Sequence, residues 1–191
     1  VNEIKKSINA ICYIGGLSEN RGILELVEAL EYCDAELHLA GKFETEALEE
    51  KAKSLDGWKK VHYYGQVSRQ KISEILALSH LGTVTLHPTP SYLEAYPIKL
   101  FEYMSAEIAV LASDFPLYRS LIEKYDCGCF VDPLDVQKTA ETIQRMLEQK
   151  EQTRKQGHNG YKAVITEYNW GKEKKKLISY YNKVLSIKQK N

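Results

Sequence analysis

The sequence predicts an α/β protein of three layers, with a parallel sheet of about six strands between helices and further helices at its C-terminal end. Three observations predict it. Short β-rich apolar runs alternate with longer stretches of helical period, as in strands joined by crossover helices. The apolar runs mostly close on glycine or proline, where a strand gives way to a turn. The 191 residues are enough to bury the core such a sheet requires.

NAICYIG (9–15) is an apolar run closed by glycine and reads as a buried strand. GILELVEALEYC (22–33) places Ile23, Leu26, Val27 and Leu30 on one helical face. AELHLAG (35–41) is a strand ending at Gly41, ETEALEEKAKSL an amphipathic helix, and KVHYYG (60–65) a short strand. SRQKISEILALS is a helix opened by Ser68, an N-cap residue whose hydroxyl can accept from a first-turn amide. LGTVTLHP is a strand stopped by Pro88. PIKLFEYMSAE is helical, with Pro97 in the first turn, where a missing N–H is harmless. IAVLAS is a fully apolar strand, PLYRSLIEKY a helix, CGCFVD a short strand, and DVQKTAETIQRMLEQ a helix capped by Asp135. Two more helices, at roughly 150–168 and 171–188, have no strand between them and read as an appendage.

Composition excludes several classes. Lys plus Arg and Asp plus Glu stand at 26 each, so there is no broad basic field for a nucleic acid. The imbalance is local: the C-terminal stretch GKEKKKLISYYNKVLSIKQK is Lys-rich, while residues 25–56 carry more acid than base. The cysteines Cys12, Cys33, Cys127 and Cys129 form no CxxC and have no neighbouring His, which argues against a zinc site or a disulfide framework and for reduced core thiols in a cytoplasmic protein. There is no apolar run of membrane-spanning length and no signal peptide. The chain starts at Val1 without methionine, which suggests a piece of a longer protein.

Ligands of a parallel sheet bind at the carboxyl ends of its strands. Here those ends are YIGGLSENRG, AGKF, YGQVS, LHPTPSYLEAYP, ASDFP and VDPLD. In the first, Gly15 and Gly16 let backbone approach a ligand, and a helix starting near Arg21-Gly22 adds amides and a full positive charge, together a phosphate site. The same residues also describe a tight strand-to-helix turn with a surface arginine, and they match neither GxGxxG nor a Walker loop.

EAYPIKLFE (94–102) sets Glu94 before a helix and Glu102 within it. Leu100, Phe101 and Met104 fall within roughly a third of the helix circumference and face the sheet, while Lys99 and Glu102 point away from that stripe. Free amides near Ile98 and Lys99 suit a phosphate, and each carboxylate can accept from two sugar hydroxyls. That combination suits a nucleotide sugar. On spacing alone the simpler reading stands first: Lys99 and Glu102 an exposed i,i+3 pair, Glu94 a loop acid. His38 and His62 read as strand-face histidines, and His87 as structural or a donor contact. No Asp-x-Asp and no Ser–His–Asp or Cys–His motif occurs. The lysine run 172–176 with Trp170, Tyr180 and Tyr181 reads as a solvated helix face, with a membrane surface or a partner domain as alternatives.

EAYPIKLFEYMSAEIAVLASDFP resembles the signature region of the group 1 retaining glycosyltransferases of GT-B architecture, in which Glu-x7-Glu is followed by small residues, a buried strand and a Ser/Asp-x-Pro turn. YIGGLSENRGILELVEAL, LHLAGKF, VHYYGQVS and EYNWGKEKKKLISYYNKVL are similar to that family's C-terminal domain in the same order, over nearly the whole chain. The resemblance implies a Rossmann-like, nucleotide-sugar-binding domain over 1–168 and a C-terminal helix over 169–191 that packs back or toward an acceptor-binding domain preceding Val1. It implies that Glu102 holds the ribose and Glu94 the donor sugar. Backbone N–H groups around Pro97, Ile98 and Lys99 would cradle the diphosphate, and Arg21 would replace a phosphate-binding lysine. Gly15 and Gly16 would line the site, and the loops at Gly41-Lys42 and Gly65-Gln66-Val67 would border the base. The donor would be a UDP-, GDP- or ADP-sugar, used without a metal or other cofactor, and the setting bacterial polysaccharide synthesis on the cytoplasmic side of a membrane. The isolated chain would bind nucleotide weakly and turn nothing over.

The sequence departs from that pattern in three places. Gly16 stands where an arginine is frequent, so that contact is absent or supplied by Lys42 or Lys99. Glu107 and Ala109 stand for glycine and proline, and Ala95-Tyr96-Pro97 for Gly-aromatic-Gly, which narrows the sugar pocket. The competing readings are a non-catalytic interaction domain and a dinucleotide-binding oxidoreductase. The latter would want GxGxxG and an acid after the second strand, where Gly41-Lys42 stands.

Overall fold

A computed structural model describes residues 9–188. Residues 1–8 and 189–191, which the expected bounds of 1–168 and 169–191 include, lie outside the described residues. One sheet is built from β1 (Ala10–Ile14), β2 (Glu36–Ala40), β3 (Val61–Gly65), β4 (Leu81–Val84), β5 (Ala109–Ser113) and β6 (Gly128–Val131). Its order is β3-β2-β1-β4-β5-β6, and every pairing is parallel. The helices are α1 (Ile23–Ala29), α2 (Glu46–Ser54), α3 (Arg69–Leu78), α4 (Pro90–Leu93), α5 (Ile98–Ser105), α6 (Pro116–Tyr125), α7 (Val136–Glu148), α8 (Lys150–Thr166) and α9 (Trp170–Lys188). This is the three-layer α/β/α fold that the alternation predicts.

Both faces of the sheet are covered, which is why its strands read as unbroken apolar runs. Ile11 and Tyr13 of β1 join Leu26, Val27, Leu48 and Ile143 from α1, α2 and α7. Cys12 and Ile14 point the other way, into a cluster with Leu100, Met104, Leu121 and Ala163 from α5, α6 and α8. In β5, Leu111 faces the first cluster, Val110 and Ala112 the second. Helix starts follow local chemistry: Thr45, Ser68 and Asp135 accept from the amides of Leu48, Lys71 and Lys138.

Several expectations are corrected. α8 is no appendage; α5 is its principal neighbour. Its glycines make the close approach: a Cβ at Gly157 would lie 2.4 Å from the Glu107 carbonyl oxygen, and one at Gly160 3.1 Å from Met104 Cγ. The first crossover helix is preceded by a 3-10 turn, Glu19–Arg21, so α1 proper begins at Ile23 after Gly22 in the left-handed region (φ 65°). The stretch from Pro90 to Leu93, read as loop, is a short helix behind Pro90. Pro97 is the N-cap of α5 rather than its first-turn residue. The buried stripe of α5 is Leu100, Tyr103 and Met104, while Phe101 packs on the flank against Tyr96 and Tyr168. Glu107 holds a left-handed φ of 59° in the turn before β5, where glycine is at ease, and its carboxylate accepts from His158 Nδ1 at 2.6 Å.

The strand order reverses between β1 and β4, and there the sheet opens. β1 pairs with β2 from Ala10 to Ile14, but with β4 only at Ile11↔Leu81 and Cys12↔Gly82. Further along, side chains hold the two strands. Thr83 Oγ1 donates to the Cys12 carbonyl at 3.0 Å, and the Ile14 amide donates to the Tyr103 hydroxyl at 3.0 Å. The Tyr103 ring lies flat on Gly82, where a Cβ would fall 2.2 Å from the ring carbon Cγ.

Tyr103→Phe keeps that ring in place and removes the acceptor of a buried amide. It is expected to destabilise the chain by about 1–3 kcal/mol, the cost of an unsatisfied buried donor, read from urea unfolding. An unchanged midpoint would show that the Ile14 amide is served by another acceptor.

Candidate functional site

On the β1 side of the parting between β1 and β4, the loops that follow β1, β2 and β3 meet. Ile14, Gly15 and Gly16 form one wall, Ala40, Gly41 and Lys42 the next, and Gln66, Val67 and Ile72 the third, around a cavity of ≈ 320 Å³. Backbone closeness makes the walls thin. Gly41 (φ 153°) has no room for a side chain, since a Cβ would sit 1.8 Å from the Gly15 carbonyl oxygen. A second hollow of ≈ 470 Å³ shares Gly16 and Lys42 with the first and extends past Asn20, Arg21 and Tyr92. The structure thus brings Gly15, Gly16, Lys42, Gln66 and Val67 together around one space, with Arg21 beside it.

Arg21 is held in place. Its Nη1 donates to the Gly16 carbonyl at 2.9 Å and its Nε to the Tyr92 hydroxyl at 3.4 Å. The Tyr13 hydroxyl donates to the same Gly16 oxygen at 3.0 Å. Burial works against the guanidinium charge, but the bond Arg21 donates to Tyr92 and the proximity of Tyr13 outweigh it and keep Arg21 protonated. Burial in turn raises the Tyr13 phenol, so that ring stays neutral. The absence of a side chain at Gly16 is what admits Arg21: a Cβ there would be 2.7 Å from Nη1.

Lys99 does not point away into solvent as the helical spacing suggests. It turns back over the end of β1, with Nζ buried, 3.7 Å from the centroid of the Tyr13 ring and without a hydrogen-bond partner. A Cβ at Gly15 would lie 3.5 Å from Lys99 Nζ and 3.7 Å from Arg21 Nη1. Two cations therefore flank one glycine. Burial, with repulsion from Arg21 added and attraction to Glu102 opposing, lowers Lys99 to about 7.

At the start of α5 the first helical bond is the Leu100 amide to the Pro97 carbonyl, 3.1 Å, so the amides of Ile98 and Lys99 precede the helical ladder. Glu94, at the end of α4, and Glu102, on α5, are both exposed. Among the described residues neither carboxylate takes part in a hydrogen bond or an ion pair, which leaves both free to accept from hydroxyls. Sequence reasoning missed Tyr92, Tyr13 and Tyr103, which fix Arg21, floor Lys99 and hold the crevice open. Each reads as an ordinary core or loop aromatic, and only the meeting of β1, α4 and α5 gives it a role.

The histidines lie elsewhere. His38 Nδ1 meets the Tyr64 hydroxyl at 2.7 Å and its ring stacks on His62 at 5.0 Å; burial lowers its pKa. His62 pairs with Glu36. His87 Nε2 lies 3.2 Å from Glu25 Oε1 of α1, without a hydrogen bond between them. Among the described residues no three His, Cys, Asp or Glu side chains cluster as metal ligands, and no helix is long and apolar enough to cross a membrane. A hollow of ≈ 280 Å³ lies near the amino ends of β4 and β5, between His80, Glu107, Met146 and Arg154. It is lined by residues of both charges, away from the strand ends where the glycines and cations converge.

Comparison with known proteins places these features in a group. The family model described as glycosyl transferases group 1 matches residues 1–163. The MMP alpha-(1->4)-mannosyltransferase of Mycolicibacterium hassiacum is 23% identical over 155 residues, which cover 80% of this chain and 36% of that protein. Among solved structures, sucrose-phosphate synthase from Thermosynechococcus elongatus superposes with a TM-score of 0.79 at 21% identity, over 94% of this chain and 46% of that one. HepE from Anabaena, solved in complex with UDP and glucose, superposes with a TM-score of 0.78 at 18% identity, over 91% of this chain and 48% of that one. The chain thus spans about a third to a half of the length of these proteins.

The buried amine of Lys99 has a measurable signature. Folded, it loses its proton near pH 7; unfolded, it keeps it to about pH 10.4. Between those values the unfolded chain binds more protons, so wild-type stability gains on that of Lys99→Met as pH rises, by roughly 1.4 kcal/mol per pH unit. Urea unfolding is expected to show Lys99→Met as the more stable protein at neutral pH, with the gap closing toward alkaline pH. A gap independent of pH would show that the amine is solvated.

Proposed function

Because the chain belongs to the glycosyl transferases group 1, we propose that it is the donor-binding half of a retaining glycosyltransferase of GT-B architecture. The reaction would move a hexose from a nucleoside diphosphate to a glycan or lipid-linked acceptor. The observation that carries this reading is the convergence of the Arg21 and Lys99 side chains on Gly15, at the carboxyl end of β1. Positive charge gathers there at a strand's carboxyl end, where ligands of a parallel sheet bind. The UDP and glucose named with HepE support a nucleotide-sugar donor.

In this reading the diphosphate lies over Gly15 and Gly16 against the amides of Pro97's successors, Ile98 and Lys99. Glu102 accepts from the ribose hydroxyls, and Glu94 from hydroxyls of the sugar. The base enters the cavity bordered by Lys42, Gln66 and Val67. As the bond from the anomeric carbon to the diphosphate breaks, charge grows on the leaving phosphate oxygen. Arg21, Lys99 and the α5 amides meet that charge, so the leaving group needs no metal. The acceptor hydroxyl would come from the other half of the protein. We assign to that half the side chains that α9 leaves exposed, among them Trp170, Leu177, Ile178, Tyr181 and Leu185.

Titration with UDP-, GDP- and ADP-sugars, followed by tyrosine and tryptophan fluorescence, is expected to select one nucleotide. Glu102→Ala is expected to weaken that binding by about 1–3 kcal/mol, the range for hydrogen bonds to a charged acceptor. If none of the three binds, the chain is a fold-only interaction module. If Glu102→Ala binds like wild type, the ribose contact is elsewhere.

A further inference from the structure

This inference rests on the donor-binding reading and concerns how the donor is gripped. The two cations at Gly15 differ in how they are held. Arg21 is tied by two hydrogen bonds, to the Gly16 carbonyl and the Tyr92 hydroxyl. Lys99 Nζ is tied by none and rests on the face of the Tyr13 ring. The groups acting on it are Tyr13 from β1, Arg21 from the turn before α1, and Glu102 and Tyr103 from its own helix. Tyr103 is already committed to the Ile14 amide, and Arg21 repels the ammonium. A buried, flexible amine that faces a fixed guanidinium across a bare glycine is placed to meet an anion entering between them.

We propose that Lys99 is the movable arm of a two-cation clamp: it leaves the Tyr13 ring as the diphosphate of the donor settles over Gly15 and Gly16, while Arg21 stays fixed. The diphosphate brings negative charge to within reach of Nζ and favours the ammonium form. Because burial holds the unliganded amine largely neutral above pH 7, capture of the donor draws one proton from solvent onto Nζ. Donor affinity is thereby coupled to pH by Lys99 alone, since the diphosphate diester of a nucleotide sugar has no proton to exchange near neutrality and Arg21 does not titrate there.

Isothermal titration of the chain with UDP-, GDP- and ADP-glucose in buffers of differing ionisation heat counts the protons taken up. At about pH 8, a unit above the amine's midpoint, uptake approaches one proton per donor bound, and it fades toward pH 6. Above neutrality the wild-type affinity falls about tenfold per pH unit. Lys99→Arg, which keeps the charge and cannot lose it, binds with no uptake and no such fall. Lys99→Met binds more weakly than wild type at pH 6 and is flat with pH.

Donor binding without proton uptake, or uptake that persists in Lys99→Met, overturns the clamp and leaves the donor-binding reading standing. Failure of wild type to bind any of the three sugars overturns both.

Discussion

The site depends on β1 and β4 parting after two residue pairs. A parallel sheet that stayed laddered to its end would offer a closed edge of paired amides and carbonyls. Here the Ile14 amide turns instead to the hydroxyl of Tyr103, and the Cys12 carbonyl takes the hydroxyl of Thr83. Two side chains replace the missing rungs, so the backbone groups stay satisfied while the strands separate. Tyr103 can do this only because Gly82 has no Cβ under its ring. The tyrosine also belongs to α5, so the same bond ties to the end of β1 the helix that carries Lys99. Opening and lining of the site are one piece of packing.

Much of this was legible from the sequence. A strand buried on both faces has to read as an apolar run, and ICYI, LHLA and AVLAS do. Glycines at the ends of β1, β2 and β3 marked where backbone bends toward a ligand. At Gly41 the structure shows the backbone closeness that such a position needs, a Cβ there falling 1.8 Å from the Gly15 carbonyl oxygen. Other elements lacked a local signal. Gly157 and Gly160 look like weak points in a helix until α5 is laid against them. The Leu100–Tyr103–Met104 stripe has the same period as the one drawn through Phe101, and which flank is buried depends on where α8 and Tyr168 lie.

Lys99 was misplaced for a different reason. A helical wheel assigns a residue an angle and nothing else. Side chains also lean toward the helix N-terminus, so a long side chain in the first turn can reach past the helix start. Lys99 does that and lands on the end of β1. Its angle faces away from the apolar stripe, yet its ammonium is buried. First-turn lysines and arginines on helices that cap a sheet are poorly described by faces and better by what lies ahead of the helix.

Gly16 and Lys99 then become two aspects of one arrangement. An arginine at position 16 would carry a permanent charge on a loop open to water, and its grip on an anion would be indifferent to pH. With glycine there, the space is taken by the guanidinium of Arg21, bound to the Gly16 carbonyl itself. The second cation comes from below, through the floor, and must share low-dielectric surroundings with Tyr13 and the backbone of β1. Above neutrality, a positive charge delivered from that side persists only with an anion beside it. Moving one cation from loop to helix therefore changes more than a contact, because it makes the charge of the site conditional on the ligand that the site is shaped to hold.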